Sequence, residues 1–155
     1  MSRLDAARRT GKIGGVTPLP QPRDLTSLIL RTDFSGDSAW AALKAAIDGQ
    51  QECANATYVS DPKYSGISIS RLVDLNAAAD DDDKLTYLFL ADAATLSDDE
   101  RPLLAVDLYT DPGRTFRVPA RWYGEVSANL SIANLDFDDF ADGADETGTF
   151  RGFDG

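Results

Sequence analysis

The sequence contains no histidine and a single cysteine, Cys53. Without imidazole the chain cannot build a Ser-His-Asp triad, a Cys-His pair or a His-ligated zinc or non-haem iron site. One thiol cannot close a disulfide within the chain. Cys53 follows Gln50, Gln51 and Glu52 with neither a partner base nor a predictable helix N-terminus to activate it, so it reads as a structural thiol. Phosphate-binding loops are also missing. Gly11-x-x-Gly14-Gly15 runs into prolines instead of opening a helix, and no Gly-Lys-Ser/Thr sequence occurs. No stretch approaches the roughly 18 to 20 apolar residues of a membrane span. The first twenty residues carry charge but lack the continuous apolar core of a signal peptide. The cytoplasm is therefore the expected location, and neither a membrane nor a bound nucleotide is expected.

What is present suits one folded domain. At 155 residues, 43% hydrophobic and 26% charged, the chain is long enough for a single core to remove roughly 70% of its unfolded surface from water. The 15 basic and 26 acidic side chains give a formal charge of −11. The sign is uneven: residues 1–24 hold Arg3, Arg8, Arg9, Lys12 and Arg23 against Asp5 and Asp24. A body this negative repels nucleic-acid phosphates and anionic membrane surfaces, so neither is expected as a partner. Two readings of the charge stay open, solubility alone or the steering of a basic partner.

Alternating Pro18, Pro20 and Pro22 after three glycines predict an extended basic arm over 1–24, outside the core. The α/β domain is expected over 25–142. Ser27 to Phe34 reads as a strand running into a polar turn. Trp40, Leu43 and Ile47 then share one helical face, with Asp37 or Ser38 as cap and Gly49 near the end. Ala56 to Ser60 is a second strand stopped by Asp61-Pro62, and Ser68 to Leu75 a short helix. The run Asp80 to Asp83 gains most from hydration and reads as a solvated loop. Thr86 to Ala91 is apolar enough to be a strand covered on both faces. Ser97-Asp98-Asp99-Glu100 has capping-box spacing before Pro102, predicting about one helical turn there. Leu103–Tyr109 and Thr115–Val118 flank Asp111-Pro112-Gly113 and predict an antiparallel hairpin. Pro119 opens a helix carrying Trp122, Val126 and Leu130; Asp136 caps another carrying Phe137 and Phe140. Residues 143–155 form a polar C-terminal tail in which Phe150 and Phe153 can tuck against the body. The expected fold is a single α/β domain: a mixed sheet of about five strands, helices on its faces, and one antiparallel hairpin.

The candidate functional groups are acids at strand ends. If the first three strands are parallel, Asp33, Asp61 and Asp92 share the edge where open α/β sheets bind ligands, and three convergent carboxylates could hold Mg²⁺. Lys63 or Arg31 could then meet a phosphoryl oxygen. Asp in these places also caps helices and closes Asx turns, which is the competing reading. Trp122, beside Arg121 and Tyr123, is either a recognition anchor or a core residue. Asp107 and Arg117 are expected to pair on the surface across the hairpin.

Several stretches resemble an actinobacterial protein family known as a domain of unknown function. They are Leu30-Arg31-Thr32-Asp33-Phe34 followed by Trp40, Ala56 to Asp61, Tyr87 to Asp92, Phe116 to Pro119, and above all Ser127 to Asn134 leading into Asp136-Phe137. The resemblance spans roughly residues 25 to 153. It implies a compact intracellular bacterial domain and carries no activity, cofactor or catalytic residue with it. The function expected from the residues is a non-catalytic binding or regulatory module with no cofactor, whose acidic surface meets a basic protein partner, as an immunity-type or pathway-accessory protein would. The alternative is a Mg²⁺-dependent phosphoryl-handling or small-molecule enzyme using Asp33, Asp61 and Asp92.

Overall fold

Every residue from Ser27 to Arg31 is buried, as a strand enclosed on both faces requires. The computed structural model describes residues 18–49, 56–132 and 135–152; residues 1–17 with their glycine motif, Cys53 and Phe153 lie outside them. The order is β1 (Ser27–Arg31), α1 (Asp37–Asp48), β2 (Ala56–Val59), α2 (Ile69–Ala78), β3 (Tyr87–Ala91), α3 (Ala93–Ser97), β4 (Pro102–Asp107), β5 (Thr115–Pro119), α4 (Tyr123–Ser131) and α5 (Phe137–Asp142). Short 3-10 turns occupy Pro62–Tyr64, Asp81–Asp83 and Ala120–Trp122.

The strands form one sheet in the order β2-β1-β3-β4-β5. β1 pairs in parallel with β2 and β3, while β3 to β4 and β4 to β5 are antiparallel. The fold is thus a single α/β domain with a mixed five-stranded sheet. Its antiparallel part is larger than the one hairpin expected. Residues 92–101 are too few for a crossover, so the chain reverses and lays β4 beside β3.

The two crossovers β1-α1-β2 and β2-α2-β3 travel in opposite directions along the sheet. Keeping one hand therefore puts their helices on opposite faces. Strand alternation serves both layers. Leu28, Leu30, Leu88 and Leu90 pack with Leu72 of α2, while Ile29 and Phe89 pack with Leu43 and Ile47 of α1. The α1 side is the aromatic one, with edge-on contacts between Phe89 and Tyr123 at 5.2 Å, Phe116 and Phe137 at 4.9 Å, and Phe140 and Phe150 at 5.1 Å.

Both ends of the described chain are tied to this body. Leu19 is buried, the Gln21 amide donates to the Asp83 carbonyl at 2.9 Å, and Arg23 donates to the Ala56 carbonyl at 2.8 Å. The segment from Leu19 onward therefore lies on the domain, where the sequence suggested an arm outside the core. At the other end Phe150 is buried and its N–H donates to the Arg117 carbonyl at 2.7 Å, while the Arg117 N–H donates to Gly148 at 2.8 Å. This strap covers the free edge of β5.

Two caps differ from expectation. The N-cap of α1 is Gly36, which has no side chain to bond the first turn, and the expected cap Asp37 is instead the first helical residue, its carboxylate held by Arg31. The short helix near Pro102 precedes Ser97 rather than following it: Asp92 and Thr95 form a capping box there, and Arg101, at φ 50, turns the chain into β4. No helix among the described residues is long and apolar enough to cross a membrane.

Candidate functional site

Parallel pairing of β2, β1 and β3 does bring Asp61, Asp33 and Asp92 to the same edge of the sheet. Each carboxylate then turns to its own backbone. Asp33 accepts from the Ser35 N–H at 3.3 Å and the Ser35 hydroxyl at 3.0 Å. Asp61 caps the Pro62–Tyr64 turn through the Lys63 N–H at 3.1 Å. Asp92 caps α3 through the Thr95 N–H at 3.1 Å and receives both arms of the Arg117 guanidinium at 2.8 and 2.9 Å. Among the described residues no group of three or more carboxylates or cysteines is placed to hold a metal ion. The acids are neighbours by topology but not by aim, because an unpaired N–H at the start of a turn draws the nearest carboxylate. Lys63 lies with its ammonium 5.3 Å from the centre of the Tyr64 ring.

Arg31 is the organiser of this edge. Its side chain is only 3% exposed, and its donors reach the Asp33 carbonyl at 2.9 Å, Ser60 Oγ at 3.3 Å, the Gly36 carbonyl at 3.1 Å and Asp37 Oδ1 at 2.9 Å. The guanidinium plane also covers the Phe34 ring at 4.4 Å and the Trp40 ring at 5.6 Å. Most of its five N–H donors are thereby committed to the fold, tying the ends of β1 and β2 to the start of α1. It is a structural cation rather than an open phosphate clamp.

Asp107 and Arg117 do not pair. Asp107 is buried and accepts the N–H groups of Tyr109, Thr110 and Asp111 at 2.9, 3.2 and 2.9 Å, closing the turn after β4. Arg117 serves Asp92 instead. Burial would raise the Asp92 carboxyl, but the Arg117 fork and the Thr95 N–H outweigh it and hold the group below its usual range. Trp122 is partly buried against Phe150, 6.3 Å away between ring centres, and against Gly152, where an added Cβ would stand 3.1 Å from the indole. Its indole nitrogen is buried without a hydrogen-bond partner among the described residues. Trp122 therefore packs the strap rather than presenting a recognition surface.

One concave surface lies at the other end of the sheet, where β1 and β3 begin and β4 ends. Three cavities of about 300, 510 and 340 Å³ meet at Thr86. Leu85, Leu108, Tyr109, Leu130 and Leu135 supply much of their apolar wall. Three large apolar side chains stand out into solvent here: Leu25 at 71%, Tyr109 at 74% and Ile132 at 61% exposure. Leu25 and Tyr109 line the cavities, and Ile132 follows Ser131, which does too. Leu25 also holds a left-handed φ of 60°, a strained conformation for a branched side chain. Under the floor, Ser27 Oγ shares hydrogen bonds with Tyr87 Oη at 2.6 Å and Ser127 Oγ at 2.7 Å. Burial raises the Tyr87 phenol and pushes that of Tyr123 up to about 12, so these hydroxyls stay neutral and tie β1, β3 and α4 together.

Sequence reasoning missed this end because its wall comes from turns that are far apart in the chain. The available signal was a set of large apolar residues, Leu25, Tyr109 and Ile132, placed where turns normally carry polar ones. No curated protein matches the chain. A family model does match, over residues 26–153, which include every strand and helix among the described residues, both edges of the sheet and the strap; by that match the chain belongs to the family described as Domain of unknown function (DUF6924).

Proposed function

We propose that the protein is a non-catalytic binding module whose acidic surface meets a basic protein partner, in the manner of an immunity-type or pathway-accessory protein. The observation that carries this reading is the fate of the cations. Arg114 is held by Asp138 and Asp142, both at 2.6 Å. Arg151 is held by Glu100 at 2.8 Å and Asp145 at 3.2 Å, and Arg121 reaches the same Glu100 at 3.4 Å. Arg31, Arg117 and Lys84 are likewise paired with acids. Exposed carboxylates such as Asp24, Asp74, Asp82 and Asp111 have no ion pair among the described residues. Six of the eleven lysines and arginines among the described residues are thus paired with acids, leaving a surplus of exposed carboxylates, the arrangement that steers a cationic partner.

Immobilised protein exposed to an extract of the source cell tests this. The expected result is a basic protein that binds at low salt, elutes at high salt, and rebinds after purification with an association rate that falls about tenfold or more over that range. If every retained protein is indifferent to salt, the reading is wrong.

A further inference from the structure

We infer that the outer edge of β5, with the aromatic pocket behind it, is a peptide-binding site, and that the strap fills it in place of an extended segment of the basic partner. The inference rests on the protein-binding reading above and adds its place and chemistry. The strap itself shows what this edge accepts. Thr149 lies beside Arg117 in a parallel bridge; the Arg117 N–H donates to the Gly148 carbonyl at 2.8 Å and the Phe150 N–H to the Arg117 carbonyl at 2.7 Å. Phe150 is fully buried, 5.1 Å from Phe140 and 6.3 Å from Trp122 between ring centres. Arg151 then closes on Glu100 with both arms, at 2.8 and 3.0 Å. Backbone bonds to a strand edge, with one side chain in a pocket, are the means by which sheets capture extended peptides. The tripeptide Thr149-Phe150-Arg151 also repeats Thr115-Phe116-Arg117 of β5, where the phenylalanine enters the same aromatic layer and the arginine takes Asp92. One order of side chains, aromatic then cation, thus serves both places.

The strap is built as a replaceable occupant rather than a sixth strand. It meets β5 through a single bridge, whereas every pair of strands in the sheet shares at least three residue pairs. Gly148 and Gly152, at φ 83 and φ 91, bound it with left-handed turns. Its ion pair is open to water, with Arg151 at 40% and Glu100 at 36% exposure, so it holds the strap only weakly. Closure also leaves a donor unmet, because the Trp122 indole nitrogen is buried without an acceptor among the described residues. A segment that brings an aromatic residue, a following lysine or arginine and an acceptor for that N–H satisfies the site better than the strap does. The strap's advantage is its tether, which keeps it at high effective concentration. The partner's apparent affinity is therefore lowered by the fraction of molecules in which the strap is closed.

Two end-blocked fluorescent peptides serve as probes: one with the sequence of residues 145–152, and one with two lysines added before it. Fluorescence anisotropy follows their binding to the full-length wild type and to Arg151→Ala, which weakens the tethered competitor at an exposed position; circular dichroism verifies the fold. Both peptides are expected to bind Arg151→Ala about fivefold or more tighter than the wild type. Each should lose about tenfold when Phe150→Ala is made in the peptide. The lysine peptide should bind tighter than the other at low salt, and equally at high salt. Amide hydrogen exchange of the wild type gives a second test, in which the Arg117 N–H should exchange about tenfold or more faster than the amides of β3, because the strap opens without the sheet. Equal affinity for the two proteins, indifference to the peptide's phenylalanine, or an Arg117 N–H as slow as those of β3 would overturn the site while leaving the acidic-surface reading intact. A lysine peptide that binds no better at low salt would overturn the basic partner and leave the site. A dimer of the wild type that the peptides dissolve would assign the edge to a second copy of the chain and overturn the partner proposed for it.

Discussion

Arg31 and Asp37 form an ion pair whose members differ almost completely in environment, 3% against 92% exposed. The carboxylate sits in water, where such a contact contributes little, whereas the guanidinium satisfies two carbonyls and packs between aromatic rings. Asp37→Ala is expected to cost less than about 1 kcal/mol. Arg31→Met should cost about 2 to 3 kcal/mol, because the Asp33 and Gly36 carbonyls lose their donor. Urea unfolding followed by tryptophan fluorescence checks this, and equal costs would show that the ion pair, not the loop bonding, matters. Asp92 gives the corresponding case for pH. Its carboxyl is held below the ordinary 3.8 when folded and returns to it when unfolded. Its contribution to stability is therefore present above the unfolded value and lost as pH falls through the folded one. Asp145, lowered to about 2 by the Thr147 hydroxyl, the Thr149 N–H and neighbouring donors, works in the same direction. Stability should decline between about pH 4 and 2. Asp92→Asn should shrink that decline and lower stability at neutral pH by at most about 1 kcal/mol, since the pair is only partly shielded from water. A variant whose acid transition matches the wild type in midpoint and steepness would contradict this.

The elements legible in the sequence are those whose cause is local. Leu88-Phe89-Leu90 announces a strand buried on both faces, and Asp111-Pro112-Gly113 announces the β4–β5 turn, in which Gly113 takes φ 99 and donates to the Asp107 carbonyl at 2.8 Å. Trp40, Leu43 and Ile47 announce the inner face of α1. What stayed hidden depends on partners distant in the chain. Asp33, Asp61 and Asp92 could be placed on one sheet edge, but their aim depended on Ser35, on the Lys63 N–H and on Arg117. Arg117 itself alternates with buried Phe116 and Val118, which gave no hint that it crosses to the end of β3. Phe150 was expected against the body and does fill the aromatic layer, but the polar, glycine-rich stretch around it gave no sign that Thr149 would bridge Arg117 along the edge of β5. Phe150→Ala should therefore cost about 3 to 5 kcal/mol and free the β5 edge for pairing with other chains. Chemical denaturation and light scattering on warming test the two halves separately. A cost under about 1 kcal/mol without added self-association would mean that the strap only decorates the sheet.

At the scale of the molecule, charge sets two kinds of interaction against each other. The ion pairs described above are contacts of 2.6 to 3.5 Å. The surplus that makes the net charge −11 acts instead over the width of the domain, whose radius of gyration for 155 residues is on the order of 15 Å. Raising ionic strength from about 0.01 M to about 0.15 M shortens the Debye length from about 30 Å to about 8 Å. That change leaves the close pairs largely intact and screens most of the repulsion between carboxylates on opposite sides of the fold. Repulsion should therefore weaken more than attraction, and salt should stabilise the protein. For a chain of this size about 1 kcal/mol corresponds to a shift of roughly 2 to 4 °C in Tm. Calorimetry across this salt range should show a rise of that order. The response should diminish in a variant with Asp80, Asp81 and Asp82 changed to asparagine, because part of the repelling charge is gone. A Tm that falls with salt would mean that the arginine pairs, rather than repulsion among the surplus carboxylates, dominate the electrostatics of folding.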